Sequence, residues 1–281
     1  MTPTVAIIAP GMMGSGVGRR LAENGIRVTT VLAGRSPASL ARAREAGMVG
    51  VSVEDAVAAD LLLSIVPPGD ALALSEQLAP LLRGRNEKPV YVDCNAVSPE
   101  TVVDIAAVVA ATGCPFVDAG IIGAPPRPSY DGPTFYASGE AAARFAALND
   151  YGLKIHVMDG GAGAASAMKM SYAGITKGLT AMGSAMVLAA SRAGTAEALH
   201  HELSQSQPAL LGWLTRQVPA MFPKAYRFVA EMEEIAAFVG DDPAAQQIYQ
   251  GYAELYARLA ENDANNAETD ALAAFFRRGK Q

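Results

Sequence analysis

Cysteine and histidine are scarce in this chain of 281 residues, which contains two cysteines and three histidines. So few thiolates and imidazoles exclude a disulfide framework and a zinc cluster, and no metal site is predicted. Charged residues make up only 18% of the chain, and the net charge is −6. A protein that neutralises nucleic-acid phosphates needs clustered Lys and Arg, so no nucleic-acid partner is expected.

Long apolar runs are also lacking, because none reaches the roughly 18–20 residues that a membrane span requires. The chain opens on a strand-like segment at Thr4–Ile8 rather than on a basic region followed by a long apolar core, so no signal peptide is predicted. Hydrophobic residues nevertheless make up 51% of the chain, enough for the core of one or two domains. We expect a cytoplasmic protein without a membrane partner.

Short β-branched runs alternate with amphipathic helical stretches over the first 158 residues. Strands that are apolar throughout and separated by helices are typical of a parallel sheet covered on both faces, an α/β fold. Seven strands are predicted, at Val5–Ala9, Val28–Leu32, Leu61–Val66, Val90–Cys94, Phe116–Ala119, Thr134–Ala137 and Ile155–Met158.

The pattern changes after residue 160, because only helical segments follow. One Ala/Met/Gly-rich stretch without proline runs from about Ala164 to Ala193 and predicts a helix of some 45 Å. We therefore predict a dinucleotide-type α/β domain at residues 1–160 and an all-α domain at residues 161–281.

A glycine-rich turn follows the first strand, with Gly11 and Gly14 on either side of Met12 and Met13. This is the place of a G-x-G-x-x-G turn, with Ala9 at the first glycine. Gly11 lets backbone amides approach a pyrophosphate, and Gly14 lets the helix pack closely on the strand. The turn predicts dinucleotide binding; a plain tight turn is the alternative.

The residues at the end of the second strand indicate whether NADP or NAD is the preferred cofactor. An acidic residue there would bind a ribose 2′-hydroxyl, but the chain has Arg35 and Ser36 instead. A guanidinium and a hydroxyl suit a 2′-phosphate. NADP is therefore the predicted cofactor, and NAD is less favoured.

Five motifs resemble the β-hydroxyacid dehydrogenase family, which includes 3-hydroxyisobutyrate and 6-phosphogluconate dehydrogenases. The resemblance extends over about the first 190 residues, and its motifs lie at residues 9–14, 64–68, 93–99, 118–124 and 163–172. It implies a Rossmann-type doubly wound sheet followed by an all-α domain. It also implies cofactor contacts at Val66, Pro67 and Asn95.

The same resemblance implies that Lys169 is the catalytic residue and that the substrate meets Ile121, Ile122, Gly123 and Tyr172. Two of these positions depart from the family pattern. Ile122 replaces a serine that would hold a substrate carboxylate, and Tyr172 replaces an asparagine that would orient the substrate. These departures favour a substrate that is less acidic or more apolar than the family norm.

Lys169 also stands out from its own surroundings, because Ala, Met and Ser flank it on the long helix. Such neighbours disfavour the charged amine, so we expect a lowered pKa that suits a general acid or base. Lys177 is the rival amine. The resemblance places Glu233 and Glu234 where the family has a Lys-Asp pair on a later helix. Glu234 either binds a basic group of the substrate or shares a solvated, salt-bridged helix face with Glu231.

These features predict an NADP(H)-dependent oxidoreductase that interconverts a small β-hydroxy acid or related alcohol and its carbonyl form. An imine reductase of the same architecture is one alternative, which Lys169 disfavours and Ile122 and Tyr172 favour. A non-catalytic NADP-binding sensor is another. The small residues Gly174, Gly178 and Gly183 suit close helix packing. A domain of about 120 residues that begins with such a long helix has a thin core of its own, so a homodimer formed through the helical domain is expected, as the resemblance also implies.

Overall fold

The computed structural model describes residues 2–127, 129–261 and 267–277. The chain divides into two compact units, Met1–Lys169 and Met170–Gln281. The division lies at residue 169, inside a long helix, whereas the sequence places it at residue 160. Each unit has a hydrophobic core of its own.

The first unit is built on one eight-stranded sheet in the order β3-β2-β1-β4-β5-β6-β7-β8. All seven predicted strands are present. The strands are β1 Thr4–Ile8, β2 Arg27–Val31, β3 Val49–Val51, β4 Leu61–Ser64, β5 Val90–Asp93, β6 Phe116–Ile122, β7 Thr134–Ser138 and β8 Lys154–Val157. The added strand, β3, escapes the sequence pattern because it is three residues long and carries Gly50 at its centre.

One strand pair departs from the predicted parallel arrangement, because β7 runs antiparallel to β6. A parallel pair needs a crossover of about a dozen residues or more, usually a helix. The connection over residues 123–133 is shorter, and its described residues contain no helix. The remaining neighbours in the sheet are parallel.

Helices and 3-10 turns join the strands of the first unit. The helices are α1 Met12–Glu23, α2 Pro37–Glu45, α3 Val53–Ala56, α4 Ala71–Arg83, α5 Pro99–Ala110 and α6 Ala142–Ala146. Alternate side chains of the central strands β1, β4 and β5 enter two separate cores, as Ile7 and Ile8 do on β1. The sheet is therefore covered on both faces, as predicted.

The second unit is helical throughout its described residues. After α7 Ala164–Arg192, which begins in the first unit, come α8 Ala196–Ser206, α9 Pro208–Met221, α10 Ala225–Phe238, α11 Pro243–Ala260 and α12 Ala267–Arg277. Fully buried side chains from several of these helices, including Met232, Tyr256 and Phe275, form the core. The fold is thus a doubly wound α/β domain followed by an all-α domain.

Helix α7 is the one described helix that is long and apolar enough to cross a membrane, with a mean hydropathy of 1.2. The sequence has no uninterrupted apolar run of that length, and α7 meets the criterion because its average hydropathy is high and its charges are few. Part of the helix is buried, and Ala181, Val187 and Leu188 enter the core of the helical unit. This packing is typical of the core helix of a globular domain, which passes the same test.

Candidate active site

The glycine-rich turn connects β1 to α1. Gly11 is the N-cap residue of α1, and a Cβ there would meet no atom within 4 Å. Met12 and Met13 open the helix, whose first turn carries no acidic side chain. A Cβ at Gly14 would overlap the carbonyl oxygen of Ala9, so the turn requires glycine there. An open helix N-terminus with unpaired amides fits the pyrophosphate of a dinucleotide.

Arg35 and Ser36 lie in the loop after β2, whose carboxyl end is next to that of β1. Gly34 makes the turn with a φ of 70°, and the Arg35 side chain is exposed. Ser36 is the N-cap residue of α2, and its hydroxyl accepts a hydrogen bond from the Ser39 amide at 3.3 Å. The two residues therefore lie beyond the carboxyl ends of the strands, where the sequence predicts the adenosine end of the cofactor.

Asn95 links the ends of β4 and β5, where the resemblance implies cofactor contacts. Its Oδ1 accepts a hydrogen bond from the Val66 amide at 2.7 Å, and its Nδ2 donates to Ser64 Oγ at 2.8 Å and to Asp93 Oδ1. Asn95 is buried, while Val66 is half-buried and Pro67 is exposed. Both polar atoms of Asn95 thus have protein partners that fix the Val66–Pro67 backbone. Direct contact between Asn95 and the cofactor stays a prediction.

Four buried polar residues form a row across adjacent strands. The strand registers pair Ser64 with Asp93, Asp93 with Asp118, and Asp118 with Ser138. All four side chains are at most 1% exposed. The row therefore brings two carboxylates to the same level of the sheet core, and their charges repel each other.

Asp118 anchors the first turn of α7. Its carboxylate accepts hydrogen bonds from the Ser166 amide at 3.0 Å and from the Ser166 hydroxyl at 2.8 Å. The Ala165 amide donates to Ser138 Oγ at 3.1 Å. Burial raises the pKa of Asp118, and the hydrogen bonds from Ser166 act against that rise. These bonds explain why the start of the long helix belongs to the first unit.

Lys169 follows one turn later on α7. Its half-buried side chain donates a hydrogen bond from Nζ to the Asn95 carbonyl oxygen at 3.4 Å. Burial lowers the pKa of Lys169, while Cys94, Asp93 and Asp118 act in the opposite direction. The predicted direction of the shift is confirmed, but the amine is not isolated among apolar groups.

In the same surroundings, the pKa of the Asp93 carboxyl is raised to about 6. Burial is the main cause, the hydrogen bonds from Asn95 oppose it, the charge of Asp118 adds to it, and Lys169 lowers it. Lys169, Asp93 and Asp118 therefore form a cluster of three groups whose pKa values are all displaced toward neutral pH. Such displaced values are common at active sites.

Asp93 and Asp118 belong to motifs noticed in the sequence, but no role was assigned to them. Each is the one acidic residue within an otherwise apolar buried strand. A charged side chain inside such a strand has a high desolvation cost unless a partner is present. This desolvation cost predicts a nearby partner for each carboxylate, and Lys169 could have been inferred from it as that partner.

The predicted substrate residues of the first unit lie at the end of β6. Ile121 and Ile122 are half-buried. Gly123 has a φ of 129°, and a Cβ there would lie 2.8 Å from the Tyr130 hydroxyl oxygen. The strand end thus offers apolar side chains and a backbone that only glycine accommodates.

The predicted substrate residues of the second unit are both exposed. Tyr172 lies on α7 with 49% of its surface exposed, and Glu234 lies on α10. Lys177, the rival amine, makes an ion pair with Glu231 and lies 4.8 Å from the centre of the Phe228 ring. Lys177 therefore has a structural role within the helical unit, and the roles of Tyr172 and Glu234 stay predictions.

The profile of a family described as the NAD binding domain of 6-phosphogluconate dehydrogenase matches residues 4–150, more than half of the chain. The chain belongs to the β-hydroxyacid dehydrogenase family. It is an NAD(P)-dependent oxidoreductase with the architecture of hydroxyacid dehydrogenases and imine reductases. A domain of unknown function, DUF1932, matches residues 190–259, and no curated protein sequence matches the chain.

Solved structures of similar fold cover nearly the whole chain. The conserved protein MTH1747, of unknown function and structurally similar to 3-hydroxyacid dehydrogenases, is 29% identical with a TM-score of 0.79, over 93% of this chain and 100% of that one. The Mycobacterium tuberculosis 3-hydroxyisobutyrate dehydrogenase is 20% identical with a TM-score of 0.73, over 98% and 99%. An imine reductase from Myxococcus stipitatus is 22% identical with a TM-score of 0.61, over 98% and 99%.

Proposed function

We propose that this oxidoreductase uses NADP(H) to interconvert a small β-hydroxy acid or related alcohol and its carbonyl form. The observation that carries the proposal is the position of Lys169. Its amine is held at the Asn95 carbonyl oxygen, next to the carboxyl ends of β4 and β5, and burial lowers its pKa. In an open α/β sheet, ligands bind beyond the carboxyl ends of the strands.

The residues of the glycine-rich turn and of the loop after β2 would hold the cofactor. Gly11, Met12 and Met13 present the open N-terminus of α1 to the pyrophosphate. Arg35 and Ser36 offer a cation and a hydroxyl to the adenosine 2′-phosphate. When bound, NADP(H) supplies the acceptor or donor of the hydride.

Lys169 moves the proton that accompanies the hydride. In the oxidative direction, neutral Nζ accepts the hydroxyl proton of the substrate as the C–H bond breaks. In the reductive direction, the ammonium form of Nζ donates a proton to the forming alkoxide. Asp93 and Asp118 favour the charged amine and burial disfavours it, so both forms are accessible nearer neutral pH than for a free lysine.

An imine reductase is the second candidate, because the substrate end of the site is apolar. Ile122 stands where the family has a polar carboxylate anchor, and the exposed Tyr172 offers a phenolic hydroxyl. Rates of NADPH oxidation with semialdehydes, ketones and cyclic imines would separate the two candidates. Turnover of imines alone would favour the second.

The variant Lys169→Met tests the acid–base role, since methionine keeps the stem and the packing but removes the amine. We expect kcat to fall roughly 10²–10⁴-fold while NADPH affinity changes little, because the proton is transferred only as the hydride moves. In the wild type, the oxidative rate should decline below the pKa of Lys169, where the base is protonated. The reductive rate should decline above it, where the acid is lost.

The matched control is Lys88→Met, which removes another half-buried lysine of the same unit. Lys88 Nζ donates to the carbonyl oxygens of Leu82 and Arg83 at 2.8 Å and 3.0 Å and lies at the C-terminal end of α4. This variant should keep wild-type kcat and pH–rate profile. Near-wild-type turnover in Lys169→Met would contradict the proposal and leave Tyr172 as the next acid to test.

A further inference from the structure

Arg42 on α2 reaches back to the glycine-rich turn. Its Nε donates a hydrogen bond to the Pro10 carbonyl oxygen at 3.1 Å, and its Nη2 donates to Ser39 Oγ at 2.9 Å. The side chain is half-buried. A guanidinium has five N–H donors, so three remain for another acceptor.

The charge of Arg42 has no acidic counterpart in the part of the chain that the structure describes. None of the ion pairs between described residues includes Arg42. Both of its hydrogen-bond acceptors are neutral, and residues 33–44 contain three arginines and no Asp or Glu. A half-buried cation without a compensating anion is costly, and an anionic ligand would offset that cost.

A chain of hydrogen bonds connects Arg42 to the loop that carries Arg35. Ser39 Oγ, the acceptor of the Arg42 bond, also accepts a hydrogen bond from Ser36 Oγ at 3.2 Å. Ser36 directly follows Arg35 and caps α2. The Arg42 guanidinium thus connects the end of the β2 loop to the glycine-rich turn, at the carboxyl ends of two adjacent parallel strands.

We infer that Arg42 is a second cation for the adenosine 2′-phosphate and acts together with Arg35 in selecting NADP over NAD. The inference rests on the proposed NADP preference. Arg35 approaches the phosphate from an exposed loop and loses rotamer entropy when it binds. Arg42 is already fixed by two hydrogen bonds, and this preorganisation favours binding of the dianion at little further entropic cost.

The test measures binding without turnover, by titration calorimetry of the full chain with adenosine 2′,5′-bisphosphate and with adenosine 5′-monophosphate. The wild type should prefer the bisphosphate. In Arg42→Gln, affinity for the bisphosphate should fall about 10- to 100-fold, the size of a charge-assisted hydrogen bond, and affinity for the monophosphate should stay within about twofold. Arg35→Ala should likewise lose affinity for the bisphosphate but not for the monophosphate. The double variant should bind both nucleotides about equally.

Arg44→Gln is the matched control, because Arg44 is an exposed arginine of the same helix. It should bind both nucleotides as the wild type does. Arg42→Lys keeps the charge without the planar fork and should retain part of the preference. An equal loss for both nucleotides in Arg42→Gln would mean that Arg42 only supports the turn, and unchanged binding would also overturn the inference.

The two proposals fail in different ways. A wild-type protein that does not distinguish the bisphosphate from the monophosphate contradicts the proposed NADP preference. A wild-type protein that does distinguish them, with an Arg42→Gln variant that distinguishes them equally well, contradicts only the role of Arg42.

Discussion

Ala9 is the single residue whose backbone departs furthest from what its side chain favours. It occupies the first glycine position of the turn with a φ of 73°, and no other described non-glycine residue has a positive φ. A Cβ in this left-handed region costs about 1–2 kcal/mol. The same conformation brings the Ala9 carbonyl oxygen so close to Gly14 that no side chain fits there.

Ala9→Gly should therefore raise the free energy of unfolding by about 1 kcal/mol, since glycine adopts a positive φ without strain and loses somewhat more chain entropy on folding. Urea denaturation of the variant and the wild type would measure the difference. Ala6→Gly is the control, because Ala6 lies three residues earlier on β1, where φ is not positive and the buried methyl is lost. That variant should be less stable than the wild type, and a matching loss in Ala9→Gly would refute the strain at residue 9.

The strands and helices show how far local sequence patterns determine this fold. The strand predicted at Val90–Cys94 is observed at Val90–Asp93, and the helix predicted from Ala164 to Ala193 ends at Arg192. Both follow from unbroken apolar or small-residue patterns. The antiparallel pairing of β7 is a property of the connection before it, and the apolar pattern of the strand itself does not reveal its direction.

The candidate site was only partly predictable for a related reason. The glycine-rich turn and Lys169 lie in local motifs that spacing reveals. The row from Ser64 through Asp93 and Asp118 to Ser138 depends on the registers of four strands that are far apart in the sequence. No local pattern fixes these registers, so the carboxylates beside Lys169 become visible only when the strands are paired.

The row of buried polar residues makes the free energy of unfolding depend on pH through Asp93. Because the folded-state pKa is raised from 3.8 to about 6, the folded protein holds a proton in that interval that the unfolded chain releases. The free energy of unfolding therefore decreases as pH rises through this range. Asp93→Asn removes this contribution to the pH dependence. The rise in the Asp93 pKa corresponds to a change of about 3 kcal/mol in the free energy of unfolding.

We expect the free energy of unfolding of Asp93→Asn, relative to that of the wild type, to increase by up to about 3 kcal/mol as pH rises from 4 to 7. Chemical denaturation at several pH values would measure this difference. Asp104→Asn, which removes an exposed carboxylate from α5, controls for the loss of one charge. A stability difference that is constant from pH 4 to pH 7 would show that Asp93 has an ordinary pKa in the folded protein.

At the scale of the whole molecule, the side chains of α7 bear on the expected homodimer. The glycines expected to allow close helix packing face their own unit: Cβ atoms at Gly174 and Gly178 would meet Tyr249 and Tyr252, and one at Gly183 would meet Leu214. Large apolar or aromatic side chains are exposed on another face of α7. They are Tyr172, Ile175, Met182 and Met186.

These exposed side chains recur at a spacing of three and four residues and their multiples, so they form one stripe along the helix. Lys177 is the only charged residue between Met170 and Ala190, and it is paired with Glu231. An uncharged, apolar stripe is complementary to another copy of itself rather than to a charged partner, as in a two-fold symmetric interface. We therefore propose a homodimer in which the α7 stripes of two chains meet.

The double variant Met182→Glu and Met186→Glu tests the dimer, because it places two negative charges where each chain would face its partner. These side chains are 46% and 58% exposed, so the monomer should fold normally. We expect light scattering at micromolar concentration to give the mass of a dimer for the wild type and of a monomer for the variant. Val103→Glu, which charges a residue that is 53% exposed on α5, should remain dimeric. A monomeric wild type would exclude the dimer, and a dimeric double variant would place the interface elsewhere.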